Sequence, residues 1–292
     1  MACHRAALRV VVSGWVRLDS LSAMPVAAYP DSIRDRRASL RFALVTTYQR
    51  DRFHRETIER LAADDTLRAH VAAALASWAS RAGYHGLILD FEALVRDDTT
   101  AIATVIRSIV ESAHRRHIRP VVVAVVPSDT AVYASRHLTA ADLLLLMLYD
   151  EHWATGVPGP IASPEWVRQG LVLRLAEVRA SRVVAALPAY GYRWHATPPA
   201  SVVSFNDAAL QAKAVGVPLE RDSASQTLHF TSPPPDSSDT WVVDGELTEQ
   251  LTQVAESLGV RRFALWRLGL EDPAIWRDVR PARPRQTRNN SR

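Results

Sequence analysis

Short apolar runs recur along this chain and alternate with longer stretches of helical periodicity. The runs are rich in Val, Ile and Leu, and several are apolar on both faces, as a parallel strand buried between helices and a packed interior requires. The predicted strands are Arg9–Trp15, Leu40–Tyr48, Leu87–Phe91, Pro120–Pro127, Leu143–Tyr149, Arg182–Pro188 and Arg262–Leu268. The predicted helices between them are Asp65–Ala82, Thr100–His114 and Pro164–Arg179. This alternation predicts an α/β protein built around a parallel sheet.

Two arrangements of such a sheet are open, a (β/α)8 TIM barrel and an open doubly wound sheet. No G-x-G-x-x-G segment follows a strand, so the dinucleotide-binding form of the open sheet has no support. Polar and aromatic residues instead gather just after the strands: Asp90, Glu92, Ser128, Asp129, Tyr149 to Trp153, Tyr190 to Trp194, Trp266 and Arg267. Barrel enzymes build their sites at this C-terminal rim, so the pattern favours the barrel.

The spacing of the strands predicts one domain over residues 1–279. Scattered β-like pieces over residues 197–244 are interpreted as a small α+β insertion between strands 7 and 8, because a structureless loop of that length is unusual in a compact domain. Only about thirty residues separate Arg9 from Leu40, too few for two complete units. We therefore expect the first βα units to be abbreviated, with Pro25–Tyr29 as a further strand.

Charge and cysteine content exclude several classes of function. The single cysteine, Cys3, allows neither an internal disulfide nor a thiolate zinc cage. The net charge of +4 is a property of residues 280–292, which hold five arginines and no acid, so the rest of the chain sums to −1. We expect this tail to be disordered and solvated, although an Arg-rich tail also suits nucleic acid or an anionic cell wall. No nucleic-acid partner is predicted.

The apolar runs and the N-terminal segment are the parts of the sequence in which a membrane span or a secretory signal would be recognised. The longest runs, such as Leu143–Leu148, are far shorter than the roughly 20 residues that a bilayer requires, so no membrane span is predicted. The first residues resemble a secretory signal only faintly, because Arg9 interrupts a short apolar stretch.

The segment from His85 to Glu92 carries the most chemical information. On a strand, Ile88, Asp90 and Glu92 share one face, so two carboxyl groups point towards the barrel interior at the end of the strand. Close like charges raise the pKa of one carboxyl group, which keeps a general acid protonated near neutral pH. The alternative is structural, with Asp90 capping the next helix and Glu92 in a rim salt bridge. The spacing of Asp90 and Glu92 does not decide between the catalytic and the structural interpretation.

A family resemblance favours the catalytic interpretation. The segment Gly86-Leu-Ile-Leu-Asp-Phe-Glu92 resembles the D-G-x-D-x-D-x-E signature of glycoside hydrolase family 18, the chitinase-like enzymes. Three later segments resemble that family's strand ends in the same order: Leu146 to Trp153 with Pro158 to Trp166, Leu187 to Trp194, and Ala264 to Trp276. The resemblance runs from about Leu40 to Trp276 and is nearest to the bacterial branch of spore-germination and peptidoglycan-cleaving N-acetylglucosaminidases.

The resemblance implies a role for each matching residue. Glu92 matches the general acid, and Asp90 matches the carboxylate that orients the substrate's 2-acetamido group. The oxygen of that group is the nucleophile in this family, an exception to the two-carboxylate pattern of glycosidases. Tyr149 matches the phenol that binds the acetamido group, with Asp150 beside it, and Trp266 matches the floor of the −1 sugar site.

Other residues of the presumed cleft are less directly matched. Tyr190 is included in the substrate-binding set. Trp153 and Trp194 are interpreted as lining outer sugar subsites, the alternative being that they cover an apolar wall. His152 and His195 lack metal-ligand spacing, so no metal and no cofactor is expected. We expect Trp78, Trp166, Trp241 and Trp276 to pack in the interior. Asp244 resembles a polar residue of the branch's insertion and has no assigned role.

The chain departs from the family at two positions. His85 and Ile88 stand where the family usually has acids, and Ile88 shares the interior face with Asp90. We expect Asp90 to ionise more readily without that second carboxyl, with some loss of activity.

Three functions are therefore open. The favoured one is a retaining, substrate-assisted glycosidase acting on peptidoglycan-like or chitin-like polymers of β-linked N-acetylglucosamine. The alternatives are a non-catalytic, lectin-like barrel of the same lineage, and another barrel hydrolase that uses Asp90 and Glu92 on a different sugar. We expect a monomer, and the family suggests a place outside the cytoplasm or in the cell envelope.

Overall fold

The computed structural model describes residues 8–29 and 40–277. Its strands are β1 (Val10–Leu18), β2 (Pro25–Tyr29), β3 (Leu40–Thr46), β4 (Tyr48–Gln49), β5 (Arg52–Phe53), β6 (Gly86–Asp90), β7 (Val121–Val125), β8 (Leu143–Met147), β9 (Val183–Pro188), β10 (Gly191–Trp194), β11 (Ser201–Val203), β12 (Glu220–Arg221), β13 (Leu228–Thr231), β14 (Asp239–Val242) and β15 (Phe263–Trp266). Its α-helices are α1 (Arg55–Ala63), α2 (Asp65–Arg81), α3 (Thr99–Arg115), α4 (Pro164–Leu175), α5 (Phe205–Val215) and α6 (Gly245–Ser257). The predicted disordered tail, residues 280–292, lies outside the described residues, as does Cys3.

Eight strands form the main sheet, in the order β15-β9-β8-β7-β6-β3-β1-β2. Seven of them run parallel, and β2 returns antiparallel to β1 as a hairpin at one edge. Trp15 on β1 and Trp266 on β15 meet with ring centroids 6.0 Å apart, although no ladder joins these two strands in the described ranges. The sheet therefore curls until its two ends touch, which confirms the predicted barrel-type α/β fold.

The start of the barrel is abbreviated, as predicted. β1 pairs directly with β3, and the part of the connection that the structure describes contains β2 and no helix. At the other end, a five-stranded antiparallel sheet of β10 to β14 and helix α5 lie between β9 and β15. This is the predicted α+β insertion between the last two barrel strands. It begins at Gly191, earlier than expected, because β10 follows β9 after only two residues and already belongs to the second sheet.

Strand alternation sorts side chains between two apolar layers. Leu87 and Leu89 on β6 pack outward into the core formed with the helices. Ile88 packs inward with Phe42, Leu44, Val122 and Ala124, and this second cluster fills the barrel interior. Both layers remove apolar surface from water at about 25 cal/mol per Å², so the register of each strand is strongly specified.

Local signals set the helix boundaries. Ser163 caps α4 by accepting a hydrogen bond from the amide of Trp166, and Pro164 occupies the first turn, as predicted. The helix ends at Leu175, four residues before the predicted end, because the chain turns there into a short 3₁₀ helix at Ala180–Arg182 that precedes β9. No helix within the described ranges is both long enough and apolar enough to cross a bilayer.

One parallel connection has no helix of its own. β7 and β8 are joined by residues 126–142, which form turns, and Arg174 of α4 holds this loop from outside. Its side chain is 0% exposed, and its guanidinium donates to the backbone carbonyls of Val126, Pro127, Asp129 and Tyr133 at 2.6 to 2.8 Å. The buried arginine thus replaces the hydrogen bonds that regular structure would give these carbonyls.

Replacing Arg174 tests this assignment. Arg174→Leu is expected to lower the free energy of unfolding by about 3 kcal/mol, because four backbone carbonyls lose their donor at once. Urea denaturation measures the change. The matched control is Arg168→Leu on the same helix, whose partly exposed guanidinium lies 3.9 Å from Glu165 and should matter by no more than about 0.5 kcal/mol. Equal losses for the two variants would contradict the role given to Arg174.

Candidate active site

The carboxyl groups of Asp90 and Glu92 lie together at the carboxyl end of β6. Asp90 is the last residue of the strand and points inward above Ile88, and Glu92 follows two residues later. The two carboxyl groups hydrogen-bond to each other. The Oδ1 atom of Asp90 is buried and has no hydrogen-bond partner among the described residues. A buried carboxylate oxygen without a donor is costly, and sharing a proton with the Glu92 carboxyl reduces that cost.

Burial controls the protonation of this pair. It raises the pKa of Asp90 well above its ordinary value, and the adjacent charge of Glu92 raises it further. Burial likewise raises the pKa of Glu92, with a further upward contribution from the charge of Asp150. Two close carboxyl groups cannot both ionise easily, so the pair retains a proton to a higher pH than exposed carboxyl groups do. Burial is thus the main cause of the raised pKa of Asp90, and the expected effect of Ile88 in place of a neighbouring acid stays a prediction.

Asp150 is held by two tyrosines. It follows β8 with a positive φ of 63°, a conformation that Asp tolerates better than most residues. Its carboxylate accepts hydrogen bonds from the hydroxyl groups of Tyr190 and Tyr192, which come from the end of β9 and from β10. Burial raises the pKa of Asp150, and the two hydroxyl groups oppose that rise. Tyr190 is itself buried, so it acts on the cleft through Asp150.

Tyr149 and Trp266 form an aromatic wall beside the carboxyl pair. Their rings are nearly parallel, at 13° with centroids 6.2 Å apart, and Trp266 also meets the edge of Trp15. Burial raises the pKa of the Tyr149 hydroxyl well above its ordinary value, with further contributions from Asp90 and Glu92. Tyr149 therefore stays protonated and can donate a hydrogen bond. The flat indole of Trp266 suits the C–H face of a pyranose ring.

The two outer tryptophans lie in different environments. Trp153 is 55% exposed, and its indole nitrogen donates to Thr155, so its ring faces solvent near the cleft. Trp194 is only 6% exposed, and its indole nitrogen donates to the carbonyl of Gly156 at 3.1 Å. Trp194 therefore supports the loop that carries Trp153 and presents no free face. This placement favours the apolar-wall interpretation for Trp194.

Tyr133 is a residue that sequence reasoning missed. It lies in the loop that Arg174 holds, and its buried hydroxyl donates to the backbone carbonyl of Phe91, the residue between the two carboxylates. Burial raises the pKa of Tyr133, and the charges of Glu92 and Asp90 raise it further, so its hydroxyl is close to both. A tyrosine in an irregular loop has no periodic signal, although the polar residues after β7 marked this stretch as part of the rim.

The residues that depart from the family pattern have structural partners. His85 accepts a hydrogen bond from the backbone amide of Arg41 at 3.1 Å, and Ile88 packs in the barrel interior. Asp244 caps α6 and pairs with Arg221 at 2.6 Å, which gives it a structural role. Trp241 stacks on His229 in the insertion, as expected for a packing residue. Among the described residues, no three His, Cys, Asp or Glu side chains are grouped to hold a metal ion.

Relatives in sequence are bacterial glycosylases. No family model matches the chain. It is 22% identical over 242 residues to the uncharacterized glycosylase YvbX of Bacillus subtilis (strain 168), covering 78% of this chain and 70% of YvbX. It is 23% identical over 261 residues to the cortical fragment-lytic enzyme of the same organism, covering 84% of this chain and 60% of that protein. The predicted resemblance is confirmed.

Solved structures show the same fold. The spore cortex-lytic enzyme SleL of Bacillus cereus superposes with a TM-score of 0.82 at 19% identity, covering 94% of this chain and 68% of SleL. A chitinase from Chromobacterium violaceum ATCC 12472 superposes with a TM-score of 0.78 at 20% identity, covering 92% and 89% of the two chains. The fold is therefore that of chitinases and spore cortex-lytic enzymes.

The raised pKa of Asp90 makes a prediction about stability and pH. A carboxyl group whose pKa is higher in the folded state adds stability below its unfolded pKa, and that stability is lost as the pH rises through the folded value. Asp90→Asn removes the buried charge. The stability of the variant relative to the native chain should therefore increase as the pH rises above the ordinary Asp pKa of about 4, as measured by urea denaturation.

The control for this experiment is Asn206→Ala, at an exposed position on α5. Its stability difference from the native chain should not widen over the same pH range, because the substitution changes no ionisable group. A constant difference for Asp90→Asn would show that the carboxyl group of Asp90 is not raised in pKa by folding.

Proposed function

We propose that this chain is a retaining glycosidase that cleaves β-linked N-acetylglucosamine polymers with the help of the substrate's own acetamido group. The observation that carries the proposal is the buried Asp90–Glu92 pair, which faces Tyr149 and Trp266 at the carboxyl ends of the parallel strands. The residues proposed as the acid, the acetamido-binding groups and the sugar platform therefore lie close together. The glycosylase, cortex-lytic and chitinase names of the similar proteins support the assignment to glycosidases.

The first step divides the chemistry between enzyme and substrate. Glu92 donates its proton to the glycosidic oxygen as the bond from that oxygen to C1 breaks. The acetamido carbonyl oxygen forms a new bond to C1, giving an oxazolinium ion and a free sugar hydroxyl. Asp90 accepts a hydrogen bond from the acetamido N–H and offsets the positive charge that develops there, and Tyr149 donates to the acetamido oxygen.

The second step restores the enzyme. The Glu92 carboxylate takes a proton from a water molecule while the water oxygen attacks C1. The oxazolinium ring opens and the acetamido group is regenerated, so the configuration at C1 is retained after two inversions. The raised pKa of Glu92 fits both halves, because it keeps the acid protonated before the first step and basic enough to accept the proton back.

The identity of the polymer that is cleaved is also part of the proposal. The chain spans 60% of the cortical fragment-lytic enzyme, so the activity of that whole protein is carried over here only as a proposal. Peptidoglycan-like glycans are favoured because the similar sequences include that enzyme and because SleL shares the fold. Chitin-like glycans fit the same acetamido chemistry.

A non-catalytic glycan-binding barrel is the second candidate. His85 and Ile88 stand where the family usually has acids, and both are occupied with structural contacts. The hydrolase is nevertheless favoured, because Glu92, the proposed general acid, has a pKa that burial raises, and a protein that only binds glycans does not need such a group.

Substitution of the acid tests the proposed function. Glu92→Gln should lower the hydrolysis of chitotetraose and of purified peptidoglycan by at least about 10²-fold, since general acid catalysis contributes on that scale. Sugar binding should persist, because the amide has nearly the shape of the acid. Release of reducing ends measures the rate, and calorimetric titration measures binding.

An inhibitor and a control variant show whether the effect of Glu92→Gln reflects the acetamido-assisted mechanism. A thiazoline that mimics the oxazolinium ion should inhibit the native chain, whereas a glycosidase with a carboxylate nucleophile should be insensitive. Glu249→Gln, at an exposed position on helix α6, should retain full activity. Unchanged turnover by Glu92→Gln would overturn the catalytic assignment, and glycan binding by a native chain that releases no reducing ends would favour the binding module.

A further inference from the structure

Arg17 lies in the same layer of the barrel interior as the catalytic Asp90. The register of β1, β3 and β6 places Arg17 opposite Thr46, and Thr46 opposite Asp90. Residues paired across parallel strands share a face, so all three point inward. Trp15, two residues earlier on β1, packs against the interior cluster and confirms which face this is. Two strand spacings separate Arg17 from Asp90, roughly 10 Å.

The guanidinium of Arg17 has no ion-pair partner in the described ranges. Its Nε atom is buried without a hydrogen bond, although the residue as a whole is half-buried. Asp19 is the carboxylate nearest in sequence, and its Oδ1 atom accepts hydrogen bonds from the backbone amides of Leu21 and Ser22. The hydrogen bonds from Ser22 lower the pKa of Asp19 and the charge of Arg17 lowers it further, so the two groups are within electrostatic reach, although they form no salt bridge in the described ranges. A buried guanidinium nitrogen without an acceptor carries a desolvation cost that an anionic ligand would offset.

Arg267 is a second cationic residue near the aromatic wall of Tyr149 and Trp266. Arg267 follows Trp266, is exposed, and forms no salt bridge with any residue in the described part of the chain. Burial raises the pKa of Tyr192 to about 12, and the charge of Arg267 opposes that rise, so Arg267 lies within electrostatic reach of the Asp150 side of the cleft. Trp15 and Trp266 touch between the two arginines. Arg17 and Arg267 thus place two guanidinium groups near the edge where β1 meets β15, with Asp19 close to the first of them.

We propose that Arg17 binds a carboxylate on the glycan and thereby selects N-acetylated polymers that carry acidic substituents over neutral ones. This rests on the proposed glycosidase function. A chitin chain has no charge, whereas the muramic-type sugars of peptidoglycan carry a lactyl ether that ends in a carboxyl group. The planar guanidinium matches a carboxylate with two parallel hydrogen bonds, and its buried Nε has no other acceptor.

The carboxylate has two possible sources on such a glycan. Peptide-free strands expose the lactyl carboxylate itself. In peptide-bearing strands that carboxyl is an amide, and the free carboxylates belong to the stem peptide. Arg17 lies inside the barrel, in the layer of the catalytic carboxyl, which favours the group closest to the sugar ring.

The test compares kcat/KM on charged and neutral glycans in Arg17 variants. The substrates are peptide-free strands of alternating N-acetylglucosamine and N-acetylmuramic acid, the same strands with the lactyl carboxylates reduced to alcohols, peptide-bearing strands, and chitotetraose. Arg17→Gln should lower the ratio of kcat/KM on the peptide-free acidic strands to that on chitotetraose by about 10- to 100-fold, the range of a hydrogen bond to a charged group. Arg17→Lys should recover part of the ratio, because it keeps the charge and loses the bidentate geometry.

Controls separate charge recognition from damage to the fold. Arg168→Gln, on the outside of the barrel, should leave the ratio unchanged. With the native chain, reduction of the lactyl carboxylates should lower kcat/KM by the same factor as Arg17→Gln. If Arg17→Gln lowers kcat/KM equally on all four substrates, the proposal is overturned. If the ratio falls only for peptide-bearing strands, the stem-peptide carboxylate is the ligand and the lactyl assignment is wrong.

Binding measurements distinguish this proposal from the proposed function. Calorimetric titration in the Glu92→Gln background should show tighter binding of the acidic strands than of the reduced strands, and Arg17→Gln should remove the difference. If the native chain hydrolyses none of the glycans but shows this Arg17-dependent preference, the hydrolase assignment fails and the carboxylate site stands. If hydrolysis occurs and the preference is absent, the carboxylate site fails and the hydrolase assignment stands.

Discussion

Parallel pairing of the seven main strands is the constraint on which the site depends. It brings the carboxyl ends of β1, β3, β6, β8, β9 and β15 to one rim, and the ladder register fixes which side chains meet there. Because side chains alternate, the same pairing that buries Leu87 and Leu89 against the helices turns Ile88 and Asp90 inward. The free energy that fixes the register comes from these apolar layers. The carboxyl pair is therefore positioned by hydrophobic packing in layers that lie away from the rim.

The irregular connections are positioned by buried polar groups. Arg174 holds the loop between β7 and β8 through four carbonyls, and Tyr133 of that loop donates to the carbonyl of Phe91. This chain of contacts runs from an outer helix to the peptide group between Asp90 and Glu92. A comparable arrangement lies across the cleft, where Tyr190 and Tyr192 fix the Asp150 carboxylate. Both sides of the site thus have hydrogen-bonded supports with little room for rotation.

Sequence reasoning could predict what periodicity and motif encode. The alternation of Ile88, Asp90 and Glu92, the strand ends at Tyr149 and Trp266, and the insertion before β15 all follow from local patterns. What depends on packing of distant segments could not be predicted. Arg174 lies on a helix where an arginine would ordinarily face solvent, and Tyr133 lies in a loop with no period. The burial of Trp194 depends on the loop at Gly156, about forty residues away in sequence. The raised pKa of Asp90 could not be predicted either, because its main cause is desolvation, which depends on the packed structure.

The isoleucine at position 88 affects which groups can exchange protons with the Asp90–Glu92 pair. The layer beneath Asp90 consists of Trp15, Leu44, Ile88 and Val122, aligned across four strands. The three aliphatic side chains offer no atom that can accept or pass on a proton, and the indole of Trp15 can only donate. A carboxyl group at position 88 would have provided a second proton-binding group below Asp90. With isoleucine there, these four residues provide no carboxyl group below Asp90, and the polar groups near the carboxyl pair lie beside it, as Thr46 does on the neighbouring strand.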